Sequence, residues 1–175
     1  MHDDDSLKTM VLQLRERYEH RVIRGKPLRF MMKPGAGDNR VGEFVIFDRF
    51  VAIVSYLSST DTRTYFQRFC SLTHELGHWC SWRDETRSLK YEASIKAGVA
   101  AMATLPEASR LLIFEEEVRA WTNGYRLAQE VGFLDAQAYD VEASRALRFY
   151  RELLSVPEKM RPVATVCTLF ASARS

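Results

Sequence analysis

Thr73-His74-Glu75-Leu76-Gly77-His78-Trp79, near the middle of the chain, contains an H-E-x-x-H pattern. On an α-helix, positions i and i+4 lie one above the other on the same face. His74 and His78 can therefore present two imidazole nitrogens to one metal ion. Glu75 sits about 100° further round the helix, where it can reach a metal-activated water without being a ligand. This is the division of labour that zinc hydrolysis requires: neutral nitrogens hold Zn²⁺, and a carboxylate takes a proton from water. The chain has four histidines, and two of them fall in this motif. His2, beside three aspartates, and His20, between Glu19 and Arg21, read as a frayed terminus and a solvated side chain.

Outward from the motif, residues 64–81 read as its helix, with Phe66, Phe69, Leu72 and Leu76 as apolar positions. Gly77 inside that helix implies a close approach by another element, because an interior glycine costs about 1 kcal/mol relative to alanine. Upstream, residues 28–33, 41–47 and 50–57 are rich in β-branched and aromatic side chains and read as strands. Pro34-Gly35-Ala36-Gly37-Asp38-Asn39 is a cluster of turn formers that reads as a hairpin turn. It lacks the following helix and the Gly-Lys-Ser/Thr ending of a phosphate loop. Asp48-Arg49 reads as the next short connection, which makes a small antiparallel meander with 50–57 as an open edge. Residues 6–25 read as an amphipathic helix, with Leu7, Val11, Leu14, Tyr18 and Val22 on one face.

Downstream, residues 89–103 are alanine-rich and helical in pattern. Thr104-Leu105-Pro106-Glu107 reads as a capping box that opens a helix reaching Val131 and ending at Gly132. A last helix over 136–154 places Tyr139, Ala143, Leu147, Tyr150 and Leu154 on one side, and Pro157 ends it. An apolar run over 163–170 reads as a strand or a docked segment. The expected fold is a single α+β domain over 1–175, a small antiparallel sheet packed on a helical bundle that carries the motif helix.

Composition agrees with one globular domain: 175 residues, 46% hydrophobic and 27% charged. A net charge of +2 does not by itself imply a nucleic-acid partner. Arginines crowd 15–24 and 145–161, but interspersed acids give those stretches the pattern of solvated faces. No apolar run approaches membrane-spanning length, and the acidic start opposes a secretory signal. The three cysteines, Cys70, Cys80 and Cys167, lack C-x-x-C spacing and read as reduced thiols of a cytoplasmic protein.

A catalytic zinc normally has three protein ligands plus water. No histidine follows His78, so the carboxylates of Glu115-Glu116-Glu117 are the best source of a third. Neighbours on a helix lie about 100° apart, so only one of them can face the metal.

The stretch Ser71 to Trp79, followed downstream by Glu117-Val118-Arg119-Ala120, resembles zincin metallopeptidases of the gluzincin type. It is similar to ImmA/IrrE-type peptidases, with H-E-L-x-H and a later E-x-x-A. It is also similar to the peptidase-like domain of ArdC-type antirestriction proteins, with H-E-L-x-H-W and a later E-E-x-x-A. The resemblance implies a zincin-like fold, Zn²⁺ held by His74, His78 and Glu117, and Glu75 as general base. It further implies hydrolysis of peptide bonds in a protein substrate. Trp121 stands where many gluzincins place Asp or Asn, and the insert between His78 and Glu117 is long. Arg119, Tyr91 and Tyr125 are candidates for stabilising the oxyanion. A different class of function, a zincin-fold module binding single-stranded DNA or a protein, is the alternative. The intact Glu75 favours an enzyme.

Overall fold

The computed structural model describes residues 3–23, 26–31, 42–46, 51–55, 64–81 and 104–156. The expected turn over 34–39, the connection at Asp48-Arg49, the helix over 89–103, the run over 163–170, His2, Tyr91 and Cys167 lie outside them.

Helix α1 is Asp4–Tyr18. Asp3 caps it by accepting from the Ser6 N–H at 2.8 Å, and Asp4 and Asp5 complement the dipole of its first turn. The helix buries Leu7, Met10, Leu14 and Tyr18, and it stops well short of residue 25. His20, at φ 71°, turns the chain, and its N–H reaches the Leu28 carbonyl at 2.9 Å. Val22, expected on the apolar face, is instead 62% exposed in strand β1, Val22–Ile23.

Three further strands follow: β2 (Lys26–Met31), β3 (Gly42–Ile46) and β4 (Val51–Ser55). They fall where the sequence places them, but the α+β expectation with an antiparallel meander is overturned. Helices make up most of the described residues, and the strands form one small mixed sheet in the order β1-β2-β4-β3. β2 runs parallel to β4, with Leu28 opposite Val51, while β3 is antiparallel to β4, with Phe44 opposite Ile53. β2 and β3 therefore flank β4 and do not pair as a hairpin, and β4 is interior rather than an open edge. β3 is one of the two edges, and no described strand pairs with its outer side.

The sheet lies against helix α2, Tyr65–Ser81, through β3 and β4. A reciprocal cap starts α2: the Gln67 N–H donates to Thr64 Oγ1 at 3.2 Å, and the Thr64 N–H donates to Gln67 Oε1 at 3.0 Å. Phe69, Leu72, Leu76 and Trp79 recur every three or four residues and are all buried. Full burial of each such side chain stabilises by roughly 1.5–3 kcal/mol.

Helix α3 is Glu107–Glu130, with Pro106 at its N-cap and no side-chain capping bond, so the expected Thr104–Glu107 capping box does not form. At its end Gly132 takes φ 89°, which glycine adopts without strain. The Gly132 and Phe133 N–H groups return to the Gln129 and Ala128 carbonyls, a Schellman closure. The turn buries Phe133, whose ring lies 5.7 Å from Phe66 and 5.3 Å from Phe69. Helix α4, Ala136–Leu153, is capped by Asp135, which accepts from the Ala138 N–H at 3.0 Å. Among the described residues, no helix is long and apolar enough to cross a membrane.

α2 and α3 make the most extensive contact, and glycines allow it. A Cβ on Gly77 would collide with the Ala120 carbonyl oxygen, and one on Gly124 would lie 2.7 Å from the Thr73 carbonyl oxygen. Backbone cannot rotate aside as a side chain can. Gly77→Ala is therefore expected to destabilise by about 3 kcal/mol, at the upper end of overpacking effects. A chain this long should then melt roughly 6–12 °C lower in a circular-dichroism scan. An unchanged melting temperature would disprove the close crossing.

Candidate metal centre

The crossing of α2 and α3 brings His74, His78 and Glu117 together. All three are buried, and one ligand atom from each lies within 4.8 Å of the others. His74 Nε2 is 3.3 Å from Glu117 Oε2, and His78 Nε2 is 3.6 Å from Glu117 Oε1. The imidazoles stand nearly perpendicular, 4.6 Å apart, as the i, i+4 spacing on one helix dictates.

The glutamate run resolves as one helix turn must. Glu115 is exposed, Glu116 is buried with Oε1 3.7 Å from Arg119 Nε, and Glu117 faces the histidines. Burial opposes ionisation of Glu117, but the imidazoles outweigh it and hold its carboxyl down at about 2. Burial likewise disfavours a charged His78, yet the negative charge of Glu117 prevails and raises its pKa above the ordinary value. A buried anion facing two imidazoles through their Nε2 atoms is an arrangement a cation satisfies, because both nitrogens can then be neutral donors. The residues fit a metal ion, and this buried group can hold one.

The surroundings fix His74 by packing. Trp121 stacks on His74 at 4.5 Å and 29°, where a gluzincin-like pattern would have an acidic or amide partner. His74 Nδ1 has no hydrogen-bond partner among the described residues. Its orientation therefore comes from the indole plane and from the helix beneath it. Thr73 Oγ1 donates to the Cys70 carbonyl at 2.9 Å, so the Tyr139 hydroxyl, 2.8 Å away, is left to donate to Thr73. That bond ties α4 to α2 immediately behind His74. Asn123 holds the other end, with Nδ2 3.1 Å from Ser81 Oγ and 3.4 Å from the Gly77 carbonyl.

Glu75 is half-buried beside the ligands, and its charge contributes to the raised pKa of His78. Of the expected oxyanion partners, Arg119 is turned to Glu116. Tyr125 packs on Tyr139 at 5.1 Å, eight residues and so about 12 Å along α3 from Glu117. Sequence reasoning treated Tyr150 on α4 as packing. Its phenol nevertheless holds its proton more tightly than usual, first because of the charge of Glu117, then burial, then Glu75. Cys70, near the motif, is buried, and burial pushes its thiol pKa up. No family model, no curated protein and no solved structure matches the chain.

Proposed function

We propose that this protein is a zinc-dependent metallopeptidase that hydrolyses peptide bonds in a protein substrate. The observation that carries the reading is the convergence of His74, His78 and Glu117 within 4.8 Å of one another, with Glu75 on the same helix turn. Two imidazoles and one carboxylate are a catalytic zinc donor set, and three protein ligands leave one position open. Glu117 also precedes Ala120 by three residues, the spacing in the peptidase families this chain resembles. When bound, the ion would supply the acidity that brings a water's pKa to about 7 and would polarise the scissile carbonyl. His74 and His78 act as neutral donors held by the Trp121 plane and by α2, and Glu117 supplies the compensating charge. Glu75 takes the proton of the attacking water and passes it to the leaving amine. The outer side of β3, a strand packed beside α2 with which no further described strand pairs, offers backbone groups to which an extended peptide can add.

The purified protein, after zinc addition and dialysis, is expected to hold about one Zn²⁺ per chain. The His74→Ala, His78→Ala double variant is expected to hold none. Elemental analysis of both proteins tests this, and equal metal in the two would sink the reading.

A further inference from the structure

We infer that the cleft between the end of α1 and the last turns of α3 binds the phosphate group of a small phosphate ester. The cleft holds about 570 Å³, and Arg17, Tyr18, Arg21, Asn123, Arg126 and Glu130 are among the residues that line it. That volume falls within the range of roughly 300–1,000 Å³ usual for small-molecule sites. It is far larger than a lone phosphate ion needs. Arg126 and Glu130 lie about 180° and 220° round α3 from Glu117, so the cleft and the metal group use different sides of that helix. The site is separate from the metal centre and stands without it.

Its walls are held by bonds between helices. Glu130 Oε2 accepts from the Tyr18 hydroxyl at 2.6 Å and from Arg17 Nη1 at 3.0 Å, which ties α1 to α3. Arg17 Nη1 also reaches the Glu130 carbonyl at 3.2 Å, offsetting the partial negative charge of that helix end. Asn123 Nδ2 lies 3.1 Å from Ser81 Oγ, so the end of α2 is tied to the same wall. A phenol and a guanidinium thus already converge on one carboxylate oxygen here.

The charge of Arg17 is matched by Glu130. Arg21 and Arg126 bring two further positive charges, and no second acid lines the cleft among the described residues. The Arg21 guanidinium carbon stands 4.8 Å from the centroid of the buried Tyr18 ring, a contact that positions the cation without an acid. Two positive charges in excess suit a dianion better than a single carboxylate. Guanidinium forks also match phosphate oxygens two at a time. A phosphate ester carries close to two negative charges above its second pKa of about 6.

Calorimetric titration of the full chain at about pH 8 and low salt tests the site, with phenyl phosphate, inorganic phosphate and benzoate as probes. The parent is expected to bind phenyl phosphate one to one, and the monoanion benzoate at least about 10-fold more weakly. Arg21→Gln and Arg126→Gln, both at exposed positions, should each weaken phenyl phosphate about 10-fold, the scale of one charge-assisted hydrogen bond. Arg148→Gln, at an exposed position on α4 outside the cleft, should leave the affinity unchanged. Melting temperatures of the same samples check that the variants are folded. A parent that does not bind phenyl phosphate overturns the proposal, and so does equal affinity in the two cleft variants. A matching loss in Arg148→Gln overturns it too, because binding would then follow overall charge. Benzoate that binds as tightly as phenyl phosphate overturns the dianion assignment. Inorganic phosphate that does so overturns the ester.

Discussion

Glu117→Ala is expected to weaken zinc binding at least about 100-fold, because losing a ligand should exceed the 10- to 100-fold typical of losing a ligand's supporting partner. Glu117 is 2% exposed, 3.3 Å from His74 Nε2 and 3.6 Å from His78 Nε2, and no other described carboxylate joins the group. Without it, two imidazoles would hold a largely hydrated ion. Its neighbours serve as internal controls. Glu115→Ala, at an exposed position, should change stability by less than about 0.5 kcal/mol and leave zinc affinity intact. Glu116→Ala removes a buried carboxylate next to Arg119, so it should lower stability while sparing the metal. Competitive titration against a chromogenic chelator measures all three. If Glu117→Ala binds zinc as tightly as the parent, the ligand assignment is wrong, although the two histidines could still be right.

Glu75→Gln is expected to reduce hydrolysis by about 10²- to 10⁴-fold, the usual contribution of a positioned acid–base group. In free energy this is about 3–5 kcal/mol of transition-state stabilisation. Glutamine preserves size and hydrogen bonding but cannot accept the water's proton. Zinc content should stay at the parent's level, because Glu75 is not among the residues that converge. Substrates are found by comparing the cleavage products that parent and variant generate from a proteome, and kcat on a confirmed substrate then gives the ratio. Undiminished kcat in Glu75→Gln would refute the mechanism. Loss of zinc would instead place Glu75 among the ligands. A difference in kcat without a difference in metal separates the base from the binding site.

What was legible in the sequence was local. The H-E-x-x-H spacing puts His74 and His78 on one helix face, since 3.6 residues per turn follows from backbone geometry alone. Apolar periodicity located α2, α3 and α4 to within a few residues, because each buries one stripe. Gly77 announced a close crossing, and Gly132 marked the end of α3. The end of α1 was less legible. Val22 kept the helical period, and only the left-handed His20 together with its bond to Leu28 cut the helix short.

The tertiary structure decided whatever depended on which segments meet. Strand pairing is a contact between residues far apart in sequence, so the period of each strand could not reveal that β4 inserts between β2 and β3. Read by themselves, the residues left Glu115, Glu116 and Glu117 as alternatives, and resemblance selected one. The phase of α3 against α2 is set by Ala120 and Gly124 seating on Gly77 and Thr73, and it turns Glu117 inward. Local backbone geometry determined the ligands that share one helix; packing between helices determined those that do not.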